Sequence, residues 1–424
     1  MRSLLSLLAC FLMFCFCGIG FSSLSLSAQT LEITPKRILI DESPVIRASG
    51  LRPGEHVTIR ADLADGRQQA WSSEAEFVAD AQGTVDVSKQ APVAGSYKEV
   101  SAAGLIWSMM PKSPDIPGYQ PPQKSDAQVI HFQLLRNGGA AAKADLDELT
   151  VADGVRQITV QGQIHGVLYL PAGNERHPGV LVVGGSEGGV PHQKAAWLAS
   201  HGYAALALAY FRYEDLPPKL EAIPLEYFGK AISWMMQRPD VLSEKIAVVG
   251  TSRGAELALQ LGSIYPQIKA VVAYVPANMR YAACCGDNKV PYAWTWNGNA
   301  LAFAYPRGAD IRTKQVASIR VEHTHGPICL ISGDDDGVWP STLMAEAILI
   351  RLKMEHFAYP VAFLRYAHAG HRAGRPEIVP SWHGTFTHPL SGREVNVGGT
   401  PMGDARSSLD ATPKVLDFLR RSLQ

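Results

Sequence analysis

The stretch Lys245–Leu261, KIAVVGTSRGAELALQL, sets Ser252 between Gly250 and Gly254, directly after a run of small and branched apolar residues. A serine hydroxyl is a weak nucleophile until an imidazole takes its proton. The imidazole in turn needs a carboxylate to fix its tautomer and stabilise its charged form. G-x-S-x-G alone is a weak pattern. Between a strand of buried type, Ile246–Val249, and a helix-forming run, it describes a serine lifted on a strained turn. The bland alternative is a glycine-rich strand–helix turn with a polar residue at its tip, so the partners decide. In the chain order of this arrangement a carboxylate and then a histidine follow, each on a loop after a late strand. ICLISGDDDGVWP ends a strand at Asp334, Asp335 and Asp336, and VAFLRYAHAGH ends a later one at His368 and His371. Gly333 lets the chain turn, and the G-x-x-D spacing selects Asp336, leaving Asp334 and Asp335 as solvated loop carboxylates. The glycine of AGH selects His371, with His368 as the fallback.

Negative charge developing on a carbonyl oxygen must be met by two backbone N–H groups aimed at one point. Arg253, immediately after the serine, supplies one. The glycine-rich loop GGSEGG, Gly184–Gly189, supplies the other, with Ser186 taken as the donor and Gly185 and Glu187 as alternatives. The same loop lacks the G-K-[ST] or spaced G-x-G-x-x-G of a phosphate cradle, so no nucleotide cofactor is expected. His323 and His325 have the H-x-H spacing of a strand-borne metal pair, but no third ligand follows nearby. They read as solvent-facing residues, and no metal is expected.

Such a site needs a sheet to carry it. At 424 residues the chain exceeds what one hydrophobic core usually serves, and two domains follow. Lysine plus arginine equals aspartate plus glutamate, 39 each, which gives no basis for a nucleic-acid partner or an anionic membrane surface. The first residues have Arg2, an apolar run from Leu4 to about Phe21 and a small-residue ending, SLSA. This is the layout of a secretory signal peptide cleaved after Ala28, so the protein is expected to be exported. Retention as an N-terminal membrane anchor is the alternative, and LLAC at Leu7–Cys10 resembles a lipoprotein site only weakly. Cleavage leaves Cys284, Cys285 and Cys329, an odd count that argues against a disulfide framework. The adjacent Cys284 and Cys285 are not expected to bridge each other, while a bond from one of them to Cys329 stays open.

Leu31 to about Leu135 is written in short β-branched runs such as VIRASGL and EHVTIRADLA, separated by proline, glycine and aspartate turns. This grammar implies a β-sandwich over 29–140. PKSPDIPGYQPP, Pro111–Pro122, reads as an exposed loop, and the polar, alanine-rich RNGGAAAKADLDE as a linker, bounded at 141–152. Beyond it, over 153–424, continuous Val/Ile/Leu/Ala strands alternate with amphipathic helices. An α/β fold with a mostly parallel sheet covered on both faces follows.

With these residues in place the chain resembles the acyl-CoA thioesterases related to bile acid-CoA:amino acid N-acyltransferase. The likeness runs over nearly the whole mature chain: VIRASGLRPGEHVTIRADLAD and GLIWSMMP in the first part, then LASHGYAALALAYFRYEDLP, IPLEYFGKAISWMMQRPDV, VVGTSRGAELALQLGS, GPICLISGDDDGVWPS, YAHAGH and GGTP. The resemblance implies an N-terminal immunoglobulin-like sandwich before an α/β-hydrolase domain, with a triad on Ser252, Asp336 and His371. It also implies hydrolysis of a small acyl thioester or ester rather than amide synthesis, because amino-acid-conjugating members carry cysteine at the position of Ser252. The insert Asn278–Gly308 falls where a substrate-covering segment would sit, or else forms an apolar cap on the sheet. Three other functions stay open: acyl transfer to an amino acid, an exported carboxylesterase that does not act on CoA, and a binding protein whose hydrolase half is inert.

Overall fold

The computed structural model describes residues 28–113, 116, 118–122, 127–285, 289–305, 309–382 and 386–424. The expected signal peptide therefore lies outside the described residues except for Ala28.

In chain order the first half forms β1 (Thr30–Thr34), β2 (Arg37–Leu39), β3 (Val45–Ser49), β4 (His56–Ala64), β5 (Ala70–Val78), β6 (Val85–Asp86), β7 (Ala94–Gly95), β8 (Met110–Pro111), β9 (Gln128–Arg136) and β10 (Gly139–Leu149). Residues alternate between core and solvent along β4 and β5, as a strand with one wet face requires. The order β1-β3-β6 makes one sheet and β2-β10-β9-β4-β5-β7 the other, with β8 also on β5. Ile33, Ile46 and Val85 from the first sheet share a core with Ile59, Phe77, Phe132 and Leu134 from the second. Two layers result.

Two sequence expectations are corrected in this half. The segment expected as a linker from residue 141 to 152 is mostly β10, an eleven-residue strand paired with β9 and with β2. Its inward side chains are Ala142, Ala144 and Leu146, and its alternate positions are charged, so small size hid the alternation in a polar composition. The proline-rich loop is not simply exposed either. Ile116 and Tyr119 are buried, and Tyr119 meets the Trp71 ring edge-on at 5.9 Å. Pro111 itself stands in β8 opposite Trp71, and the side chains of Ile116 and Tyr119 close the core.

The second half forms β11 (Arg156–Val160), β12 (His165–Leu170), β13 (His177–Val183), β14 (Ala204–Ala209), β15 (Val241–Thr251), β16 (Ile268–Tyr274), β17 (Ile328–Gly333) and β18 (Val361–Tyr366). They build one eight-stranded sheet in the order β11-β12-β14-β13-β15-β16-β17-β18, antiparallel at β11 and β12 and parallel from β14 to β18. Five helices cover it: α1 (His192–Ser200), α2 (Glu226–Met236), α3 (Arg253–Ile264), α4 (Ser341–Met354) and α5 (Pro401–Ser422). Along β13, Leu181 and Val183 face the core built with α2, α3 and α4, whereas Val180 and Val182 face the one built with α1 and α5. Strands wet on neither face explain the continuous apolar runs.

The halves are tied together. Asp41 accepts from Trp197 Nε1 at 2.9 Å and lies 2.8 Å from His201 Nε2, while Glu99 pairs with Arg406 on α5. Ile378 joins the sandwich core, and its N–H donates to Ile40 O at 2.7 Å.

Candidate active site

Strand ends decide where chemistry can sit in a parallel sheet, because every loop after a strand opens at the same edge. Ser252 follows β15, the aspartates follow β17 and His371 lies beyond β18. The register Thr251↔Tyr274 and Ser332↔Arg365 holds these ends level.

Ser252 has φ 59° and ψ −122°, outside the regions a non-glycine residue favours. A strained backbone of this kind costs about 1–3 kcal/mol and persists only where neighbours enforce it. Both flanking glycines are part of the enforcement. A Cβ on Gly250 would lie 2.0 Å from Gly254 O, and one on Gly254 would lie 2.3 Å from Gly184 O. Strand, turn and the start of α3 thus pack too closely for any side chain.

His371 Nε2 lies 2.9 Å from Ser252 Oγ, and its Nδ1 lies 2.9 Å and 3.0 Å from the two oxygens of Asp336. Asp336 Oδ1 also accepts the N–H groups of Val338 at 2.9 Å and Trp339 at 3.2 Å. The Asp336 side chain is 1% exposed and that of His371 13%, so water competes little for these bonds. The Trp339 ring stands edge-on to the His371 ring at 5.5 Å. The fallback His368 is elsewhere: its side chain is 71% exposed and faces Asp335. Asp334 is more engaged than a solvated carboxylate, accepting from Thr342 Oγ1 and Arg365 Nε.

The loop Gly184–Gly189 abuts the serine. A Cβ on Gly185 would lie 3.4 Å from Ser252 Cβ. Among the described residues, the N–H groups of Arg253, Gly185, Ser186 and Glu187 meet no acceptor. These free donors include both N–H groups chosen from the sequence. The Ser186 hydroxyl lies 3.1 Å from His388 Nε2, a contact with no sequence signal.

A cavity of about 870 Å³ opens beside Ser252 and His371. Gln120, Pro121 and Pro122 of the first half line it, together with the Gly184–Gly189 loop, Lys194, Arg372, Arg375, Glu377 and His388. Burial pushes the Lys194 ammonium down to about 7 and the Arg372 guanidinium down to about 10.

The described residues of the insert 278–308 do not line this cavity. They form the apolar cap instead. Trp294 is buried against Tyr210 and Phe228, and its Nε1 donates to the buried Glu256. The Arg253 side chain holds the cap from below, donating to Tyr281 O and Ala282 O. Within it Cys284 and Cys285 are bonded to each other, contrary to the sequence expectation. Cys329 is a free thiol at 1% exposure in β17, on the sheet face packed against α1 and α5, opposite the face that the cap residue Trp294 joins. His323 and His325 are both exposed and belong to no cluster of possible metal ligands among the described residues.

Val397 and the GGTP stretch that follows it clamp the two loops that carry Asp336 and His371. His371 N and Gly337 N both donate to Val397 O, and Gly399 N donates to Asp335 O. Nothing in its composition announced that role.

An eight-stranded sheet of this order, with a serine turn after its fifth strand and histidine and aspartate on later strand ends, defines an α/β-hydrolase preceded by a β-sandwich. Residues 41–162 match the model of the acyl-CoA thioester hydrolase/BAAT N-terminal region, and residues 223–424 that of the BAAT/acyl-CoA thioester hydrolase C terminal. Acyl-coenzyme A thioesterase 1 of Rattus norvegicus is 30% identical, with 93% of this chain and 97% of the relative covered. Acyl-coenzyme A amino acid N-acyltransferase 1 of Mus musculus is also 30% identical over the same shares, and acyl-coenzyme A thioesterase 6 of Mus musculus 29%. The chain belongs to this family of acyl-CoA thioester hydrolases and acyl-CoA:amino acid N-acyltransferases.

Proposed function

We propose that the protein is a serine hydrolase that cleaves acyl-CoA-type thioesters to free acid and thiol through an acyl-serine intermediate. The observation that carries this reading is the unbroken chain Ser252 Oγ–His371 Nε2 and Nδ1–Asp336. His371 takes the proton of Ser252 as Oγ attacks the thioester carbonyl, and Asp336 holds the ring and its developing positive charge. The N–H groups of Arg253 and of the Gly184–Gly189 loop, Ser186 foremost, donate hydrogen bonds to the oxyanion. As the tetrahedral adduct collapses, the thiol leaves with the proton from His371. A water then repeats the cycle on the acyl-serine, giving the acid and regenerating the hydroxyl. An acyl-serine is an oxygen ester, and a thioester at cysteine is opened more readily by an amine, so Ser252 favours water over amine as acceptor.

Ser252→Ala is expected to abolish turnover of palmitoyl-CoA and of p-nitrophenyl acetate while leaving the fold and the near-ultraviolet spectrum unchanged. Undiminished activity in the folded variant refutes the assignment. Glycine or taurine added to the wild type reads the competing transfer reaction: amide formed faster than free acid reverses the preference for hydrolysis. Arg2, the apolar run after it and the small residues before Ala28 further support export with signal-peptide cleavage. N-terminal sequencing of fractionated material tests this, and a chain still beginning at Met1 in the membrane fraction would favour the anchor.

A further inference from the structure

The cavity beside Ser252 holds cations that its own carboxylates do not answer. Lys194 stands in the first turn of α1, its Nζ donating to Thr251 Oγ1 at 2.7 Å and lying 3.6 Å from the centre of the Tyr274 ring. Among the described residues no carboxylate pairs with it. Arg372 follows His371 directly, and its guanidinium makes no hydrogen bond or ion pair with any described residue. The carboxylates that act on it at longer range are held by others: Glu377 accepts from Arg375 Nε at 3.2 Å, and Asp404 accepts from Gly370 N at 2.8 Å. Glu187, the other acidic residue of the cavity lining, is exposed. Keeping two half-buried cations without counter-ions is unfavourable, as the downward displacement of both groups records. The chain as a whole is formally neutral, so this positive excess is local to the cavity.

We propose that Lys194 and Arg372 form a subsite for a carboxylate borne by the acyl group of the substrate. The proposal rests on the hydrolase reading and narrows its substrate class to acyl groups ending in an acid. A guanidinium offers a carboxylate two parallel donors, and an ammonium adds a point charge beside it. The phosphates of coenzyme A share this anionic chemistry. They are separated from the thioester sulfur by the whole pantetheine arm, whereas both cations line the same cavity as Ser252 and His371. Lys194 is hydrogen-bonded to the residue before Ser252, and Arg372 is the residue after His371. An anion that close to the carbonyl belongs to the acyl side.

The test uses four substrates on the full mature chain: adipoyl-CoA, hexanoyl-CoA, mono-p-nitrophenyl adipate and p-nitrophenyl hexanoate. The wild type is expected to favour the adipoyl member of each pair in kcat/KM. Arg372→Gln is expected to lower that preference about ten- to hundredfold for both leaving groups, the size of a charge-assisted contact, with Arg372→Lys between the two. Equal losses on all four substrates, or a wild type that favours hexanoyl, overturn the subsite. A loss confined to both CoA substrates overturns the acyl assignment and gives the cations to the phosphates. Should the wild type hydrolyse the nitrophenyl esters but neither thioester, the thioesterase reading fails while the ester pair still tests the subsite. An independent readout needs no variant: adipate should protect Ser252 from a fluorophosphonate probe better than hexanoate does, and equal protection counts against the proposal.

Discussion

Replacing Asp336 by asparagine keeps the size of the side chain and removes its charge, and the surroundings determine how the amide must sit. Oδ1 receives the N–H groups of Val338 and Trp339, so the amide oxygen is drawn there and the NH2 is left facing His371 Nδ1. Nδ1 must then accept, the ring proton moves to Nε2, and Nε2 donates to Ser252 Oγ where it should accept. The lost charge sets a lower bound on the effect. A carboxylate and an imidazolium whose charge centres are about 4 Å apart attract by about 4 kcal/mol at an effective dielectric of 20. Removing that attraction slows the step about a thousandfold at 1.36 kcal/mol per decade. The wrong tautomer adds to it, and a total of about ten-thousandfold in kcat matches what such a substitution does in a serine protease triad. Water cannot substitute, because the Asp336 side chain is 1% exposed. Thiol release from an acyl-CoA, followed with a chromogenic disulfide on folded Asp336→Asn protein, measures the loss. If the variant keeps a tenth of wild-type kcat at neutral pH, the role assigned to Asp336 is wrong.

Two further perturbations address the frame that carries the site. Glu148 is fully buried on β10 with Oε1 unpaired, and burial raises its carboxyl from 4.5 to about 8. The native state therefore holds a proton that the unfolded chain releases, so stability is greatest below pH 4.5, falls as pH rises and levels off above 8, by at most about 5 kcal/mol. Glu148→Gln should flatten that slope in urea melts between pH 5 and 8.5, and parallel curves for both proteins would disprove it. Gly254→Ala would drive a Cβ into Gly184 O at 2.3 Å and Val183 O at 2.5 Å, backbone atoms that cannot swing aside. A loss of about 1–3 kcal/mol together with slower probe labelling of Ser252 is expected, and wild-type values of both would show that the turn has slack.

Local pattern determined much of this protein. β-branched alternation marks β4, β5 and β9 because a half-wet strand must alternate, and continuous apolar runs mark β13 to β17 because they are covered twice. Gly250 and Gly254 around a serine, and Asp336 and His371 on later strand ends, follow from what a tight turn and a proton relay demand of residue type and order. Where alternation is written in alanine, as in β10, the pattern fades, since a methyl group buries too little to stand out from its charged neighbours.

The tertiary structure alone decided which side chains meet. Ser252 and His371 are 119 residues apart in sequence, and only sheet register brings them to 2.9 Å. The proline loop turning inward, Gly399 pinning the Asp335 backbone, and Cys284 bonding to Cys285 depend on neighbours that no local window contains. The same holds for Lys194 and Arg372. A basic residue in a sequence looks the same whether or not a carboxylate waits beside it, and only the packed structure shows the two cations left without one.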